Sequence, residues 1–106
     1  MSGRGSVSSR RKGNRNELRA VKELEADGWL VYRVKGSFKF TRNVDLFGLF
    51  DIAAKQGPFT RWIQVKTNRM PNLQPFREFK RKYCSSTESV EVWCYRDYKE
   101  CRKVTV

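Results

Sequence analysis

Four polar residues of this chain, Glu17, Asp51, Gln64 and Lys66, have the types and spacing to act together on a phosphate. Gln64 and Lys66 belong to the stretch TRWIQVKTN, residues 60–68, whose centre alternates as a strand does. Residues two apart on a strand point the same way, so Gln64 and Lys66 project together beside Trp62, while Ile63 and Val65 project to the opposite side. Asp51 stands immediately ahead of Ile52, Ala53 and Ala54, an apolar run suited to a buried strand, and is charged where those neighbours are not. A hairpin turn through Gln56, Gly57 and Pro58 pairs the two segments, and ordinary register then sets Asp51 close to Gln64 with Lys66 beside them. Glu17 joins them from a helix packed across the sheet.

Such a grouping suits metal-assisted hydrolysis of a phosphodiester. A hard dication takes oxygen ligands, which Asp51, the amide oxygen of Gln64, the backbone carbonyl of Val65 and Glu17 can offer. The cation polarises the phosphoryl oxygen and lowers the pKa of a bound water. Lys66 orients that water or offsets charge in the transition state. A hard dication is the cofactor that these residues lead one to expect. Asp45 is a second candidate acid, at an even spacing from Asp51, but Gly48 between them marks a bend or bulge and Asp51 lies nearer the hairpin.

Each residue has a plainer reading by itself. Lys66 is a solvated lysine near a strand end, Glu17 favours the dipole of a first helical turn, and Asp51 is a turn or capping residue. One site accounts for all four together.

Several elements must position these groups. From Asn16 to Asp27 the pattern is helical, with Leu18, Val21 and Leu24 three apart and Gly28 as the stop signal. Counting at helical spacing from Glu17 gives Ala20, Val21 and Leu24, so a carboxylate heads the apolar stripe. Residues 29–35 read as a strand, a second strand lies within residues 44–54, and TRWIQVKTN is the third, which together suggest a meander. Pro75 is suited to be the first residue of a helix. There Phe76, Phe79 and Tyr83 recur at helical spacing among Arg77, Lys80, Arg81 and Lys82. SVEVWCY and CRKVTV are two further strands joined by a polar turn. The fold class is therefore α/β with a mixed central sheet, in the order α-β-β-β-α-β-β.

Composition bounds the chemistry. The 106 residues make one core-bearing domain over 16–106, preceded over 1–15 by a Gly/Ser-rich arm with five basic residues and no acids, expected to be flexible. Histidine is absent, which excludes a histidine base, and three unpaired-looking cysteines argue against a disulfide framework or structural zinc. Twenty-three Lys and Arg against eleven Asp and Glu leave a charge of +12, which favours a polyanion through counterion release. DNA is the expected partner, and the absence of a long apolar run predicts a soluble intracellular protein with no membrane span.

With these residues in place, Asp51, a spacer and Gln64-Val65-Lys66 resemble the signature of the PD-(D/E)xK nuclease superfamily, whose restriction-endonuclease-like core has the same element order. The likeness is nearest to archaeal and viral Holliday junction resolvases, which are similar in opening on a basic stretch, here Arg11-Lys12-Gly13, followed by a helix-one glutamate, here Glu17. It spans about residues 10–68. The resemblance implies that Asp51 and the acid of the E-x-K motif bind magnesium, that Glu17 assists, that Lys66 is catalytic, and that Ser37, after Gly36, contributes from the loop. Two positions depart from the pattern: Phe50 replaces the proline before Asp51, and Gln64 replaces the acid, removing one negative charge from the metal site.

The expected function is thus a Mg2+-dependent endonuclease that resolves branched DNA, most like a Holliday junction resolvase. Two alternatives stand beside it: an inactive structure-selective nucleic-acid-binding protein, and a repair or restriction-like nuclease acting on duplex or flap DNA. Arg10, Arg11, Lys12, Arg15, Lys35, Ser37, Lys39, Arg42 and the basic second helix are the expected DNA contacts, which position a strand without reading its sequence. Phe38 and Phe40 are candidates for stacking on bases, whereas Phe47 and Phe50 read better as core. Symmetric cleavage of a junction needs two active sites and so a homodimer, with the second helix or the late strands bearing Trp93 and Tyr95 as candidate surfaces.

Overall fold

The computed structural model describes the backbone of residues 3–34 and 46–106, and the side chains of residues 13–34 and 46–106. Lys35, Ser37, Phe38, Lys39, Phe40, Arg42 and Asp45 lie outside the described residues, as do the side chains of Arg10, Arg11 and Lys12.

Chain order is α1 (Gly3–Ala26), β1 (Leu30–Arg33), β2 (Ile52–Gln56), β3 (Phe59–Thr67), α2 (Gln74–Tyr83), β4 (Glu88–Tyr95) and β5 (Arg102–Thr105). This is the expected α-β-β-β-α-β-β order. The sheet is five-stranded, in the order β1-β2-β3-β4-β5. The first three strands form an antiparallel meander, β3 and β4 are parallel, and β5 returns antiparallel to β4. A parallel neighbour requires a crossover, and α2 supplies it.

Alternation along the strands separates two cores. Ile63 and Val65 of β3, Ile52 and Ala54 of β2, and Trp93 and Tyr95 of β4 pack with Ala20 and Leu24 of α1. Trp62, Val90 and Val92 turn the other way and pack with Phe50 and with Phe76 of α2. One helix therefore covers each face. Trp93 and Tyr95 are 1% and 6% exposed, so the late strands do not offer them as a dimer surface.

Two local expectations change. Helix α1 starts at Gly3, well ahead of Asn16, so the backbone of the N-terminal segment is helical from there. Leu18 is 48% exposed, whereas Ala20 and Leu24 are buried. At about 100° per residue, three-residue steps drift around the helix, which carries Leu18 away from the face that Ala20 and Leu24 share. The second strand begins at Ile52, because Phe47 and Gly48 adopt φ of 55° and 69° and fold residues 46–50 into a turn closed by a Leu46–Phe50 bridge.

Glycine works where expected at two turns. Gly28 ends α1 with φ 88°, and a Cβ there would lie 2.9 Å from Gln56 Nε2. Gly57, with φ 58°, opens the two-residue turn to Pro58, the geometry that such a hairpin loop asks of glycine.

Candidate active site

Strands β1, β2 and β3 bring one end of each to the same end of the sheet: Arg33 and Val34, Asp51 and Ile52, and Lys66 and Thr67. The backbone fixes Asp51 from both sides. Its N–H donates to Ile63 O at 3.0 Å, and its carbonyl accepts from Val34 N at 2.9 Å. The Ile52–Ile63 pairing sets Asp51 opposite Gln64, so the expected nearness of the two is observed.

The side chain of Asp51 is held just as firmly. Its Oδ2 accepts the backbone N–H of Val65 at 2.9 Å and the Gln64 side-chain amide, through Nε2, also at 2.9 Å. The same Nε2 lies 3.3 Å from the carbonyl oxygen of Val65. Gln64 thus bridges two oxygens that would otherwise crowd each other unshielded. Asp51 is 9% exposed, and a buried carboxylate needs such donors.

Glu17 arrives from α1, on the other face, and meets Arg33 at the end of β1. Arg33 Nε donates to Glu17 Oε1 at 3.0 Å, and another guanidinium nitrogen of Arg33 donates to Asn14 Oδ1 at 3.1 Å. Asn16 is fixed beside it by a 2.9 Å bond from Nδ2 to Thr67 Oγ1, which ties α1 to the end of β3.

A concave cleft of about 800 Å³ collects these groups, with Glu17, Asp51, Gln64, Val65 and Lys66 all in its wall. The four residues singled out by type and spacing, with Val65, therefore line one cleft, and Asp51, Gln64 and Val65 touch directly. Arg33 was missed by sequence reading, since one arginine among many basic residues carries no signal until its carboxylate partner is known. Thr67, Arg69 and Asn72 of the cleft wall were missed for the same reason.

Among the described residues no group of three or more His, Cys, Asp or Glu side chains forms a metal cluster. The oxygen donors nevertheless fit a hard divalent cation. Asp51 and the Val65 carbonyl point at a common place, marked by the Gln64 nitrogen, and rotation of the Gln64 amide replaces that nitrogen by an oxygen. The set is one carboxylate with two carbonyl-type oxygens, poorer in charge than two acids would be.

A second charged group lies on the α1 face of the sheet and is structural. Arg61 makes two 2.7 Å bonds to Glu91, and its guanidinium lies 4.9 Å from the Trp29 ring centroid and 5.6 Å from that of Trp93. Burial by itself would push the Glu91 carboxyl up, but bonds from Arg61, Ser89 and Trp93 and the charge of Arg61 outweigh it and hold Glu91 below the usual carboxylate range. The hydrogen bond to Glu91 raises Arg61 in turn, against its own burial.

Comparison with solved structures finds the same architecture in Hjc of Archaeoglobus fulgidus, a Holliday junction resolvase from an archaeal hyperthermophile. The TM-score is 0.59 at 23% sequence identity, covering 87% of this chain and 75% of that one. The fold is thus that of a resolvase of known structure, and the α/β architecture with a mixed central sheet expected from the sequence is the one present. No protein-family model matches the chain, and no curated protein matches it.

Proposed function

We propose that the protein is a divalent-metal-dependent endonuclease acting on branched DNA, of the Holliday junction resolvase type. The observation that carries this reading is the convergence of Glu17, Asp51, Gln64, Val65 and Lys66 on one cleft of a chain with a net charge of +12. Shared architecture with a resolvase supports it.

Asp51, the Val65 carbonyl and Gln64 would hold the cation, preferably Mg2+ with Mn2+ as substitute, and Glu17 would complete the acidic side. When bound, the cation supplies Lewis acidity toward a phosphoryl oxygen and a more acidic water. The remaining work falls to the chain itself. Lys66 presents an ammonium at the mouth of the cleft, where it stabilises charge gathering on the phosphate. Arg33 holds Glu17 in place. Arg10, Arg11, Lys12 and Arg15 of α1, with Lys35, Ser37, Lys39, Arg42 and the basic face of α2, track the backbone of the DNA arms.

Two sites are needed to cut a junction symmetrically, so the working form is a homodimer. With Trp93 and Tyr95 in the core, the α2 face remains as its candidate surface, where Phe47 and Tyr83 are 67% and 69% exposed. A second reading, a non-catalytic binding protein on the same scaffold, is favoured by one observation. The Gln64 amide satisfies Asp51 without any cation.

Incubating the purified full chain with labelled four-way, flap, single-stranded and linear DNA, with Mg2+ or with chelator, separates these readings. Metal-dependent paired nicks in the four-way junction are expected. Cutting confined to flap or linear DNA would assign a repair or restriction-like nuclease. Binding without nicking under any metal would leave the non-catalytic reading.

A further inference from the structure

Arg15, Arg19 and Arg96 line a second concavity, of about 230 Å³, together with Asn16, Tyr95, Asp97 and Tyr98. Of these, sequence reading named Arg15 alone as a DNA contact. Arg15 and Arg19 stand four residues apart on α1, where like charges repel by several tenths of a kcal/mol unless an anion lies between them. Arg96 joins them from the end of β4.

The pocket is built rather than accidental. The Arg19 guanidinium lies over the Tyr95 ring, 5.0 Å from its centroid, and donates to Asn16 Oδ1 at 3.3 Å. The chain at Arg96 is pinned by Asn68, which takes the left-handed φ of 63° that asparagine tolerates. Asn68 N–H donates to Tyr95 O at 2.7 Å, its Nδ2 donates to Asp97 Oδ2 at 3.0 Å, and its Oδ1 accepts from Asp97 N at 2.8 Å. Asp97, the carboxylate in the pocket wall, is thereby engaged. Glu23, the next residue at this spacing on α1, is ion-paired with Lys103. Among the described residues, three arginines thus line a pocket whose carboxylate, Asp97, is already bonded.

Position gives this charge a purpose. Asn16 belongs to the wall of the arginine pocket and Thr67 to the wall of the active-site cleft, and the two are joined by a 2.9 Å hydrogen bond. The concavities therefore share a wall one side-chain pair thick. Charges along one strand of DNA recur about every 3.4 Å of helix axis, so neighbouring phosphates are close enough to lie on either side of such a thin wall. A strand with one phosphate in the cleft passes its neighbour across this wall.

We propose that Arg15, Arg19 and Arg96 form a phosphate subsite that seats a DNA backbone phosphate adjacent to the one held in the cleft. It rests on the endonuclease reading and extends it, because it fixes the direction in which the strand leaves the cleft, across the α1 side and past the end of β4. A guanidinium fork suits a phosphate better than an ammonium does, since it offers paired N–H groups in one plane.

The test measures affinity of the full chain for a fluorescent four-way junction in chelator, so that no cutting intervenes, over a range of salt. Arg96→Gln and Arg19→Gln are each expected to reduce the slope of log affinity against log salt by about 1, the signature of one lost phosphate contact. Lys55→Gln removes a charge at the far end of β2 and serves as the control, with a slope unchanged. A scan with single neutral methylphosphonates then identifies one position where the parent loses affinity and Arg96→Gln loses no more. Arg19→Gln also removes the contact with Tyr95, so its melting temperature is measured alongside, and Arg96→Gln decides the matter if that variant unfolds. A parent that binds DNA while Arg96→Gln keeps the parent slope overturns this subsite alone. A parent that binds no DNA overturns the endonuclease reading and the subsite with it.

Discussion

Replacing Gln64 by Glu restores the acid of the motif that this sequence resembles, and it reverses the electrostatics of the cleft. In the parent, Gln64 Nε2 donates to Asp51 Oδ2 at 2.9 Å and lies 3.3 Å from Val65 O. The variant loses those bonds, at roughly 1 kcal/mol each. It also sets two carboxylates about 4 Å apart, which costs about 4 kcal/mol at an effective dielectric constant of 20. That repulsion makes the folded pair bind a proton more tightly than the unfolded chain does. Stability of the variant, relative to the parent, therefore falls as pH rises from the ordinary carboxylate range toward neutrality. Proton uptake limits the cost at low pH, where the shared proton also restores a bond. The expected loss in chelator is about 6 kcal/mol at pH 8, from the repulsion and the two lost bonds together, and smaller at pH 5.5, read by urea unfolding. Added Mg2+ should recover much of the loss at pH 8 while moving the parent far less, because the second charge raises the affinity of the oxygen set for a dication. A variant as stable as the parent at pH 8 in chelator, or one indifferent to Mg2+, would refute the account of Gln64 as the donor that stands in the place of a cation.

Three further outcomes follow from the geometry. Lys66→Ala should lower the rate of DNA cutting by roughly 10²–10³, with affinity for the junction within about twofold of the parent because one contact among many is lost; equal rates in single-turnover assays would remove Lys66 from the chemistry. Phe50→Ala should cost about 3–5 kcal/mol, since Phe50 is fully buried with its ring 5.0 to 5.9 Å from those of Phe79, Phe76 and Trp62, and a denaturation midpoint near that of the parent would contradict this packing. Glu91→Gln should destabilise by about 3 kcal/mol at neutral pH by leaving Arg61 without its charged partner. Because the folded Glu91 carboxyl lies below its ordinary value of 4.5, the stability it contributes is present above about pH 4.5 and disappears as pH falls through the lower folded value. The parent and Glu91→Gln curves should therefore converge in acid, and parallel curves down to pH 3 would argue against the shift.

The order of elements was legible because each carries its own period. Alternation in residues 60–68 and the Phe76, Phe79, Tyr83 spacing in α2 are local signals, and Gly57-Pro58 and Pro75 mark boundaries by fixed backbone preferences. The nearness of Asp51 to Gln64 was legible from the turn at Gln56, Gly57 and Pro58, whereas the exact register was not: Gln56 pairs with Phe59, which shortens the turn to two residues and sets Asp51 opposite Gln64. What misled was also local. Leu18 looked like core by its spacing from Leu24, but only the placement of α1 on the sheet decides which stripe is covered. Phe47 and Gly48 interrupt a segment whose apolar character alone reads as strand.

The sequence by itself determined the chemistry available to this protein: a histidine-free, strongly basic chain with one acid, one carboxamide and one lysine on neighbouring strands. Those properties depend on residue type and short-range pairing, which the linear order carries. Tertiary structure decided which groups meet. Arg33 against Glu17, Asn16 against Thr67, Arg61 between Trp29 and Trp93, and three arginines around Tyr95 join residues far apart in the chain. Such partnerships form only when the strands are paired and α1 is laid across them, because an ion pair or an anion pocket is a property of distance in space, and no spacing along the chain encodes it.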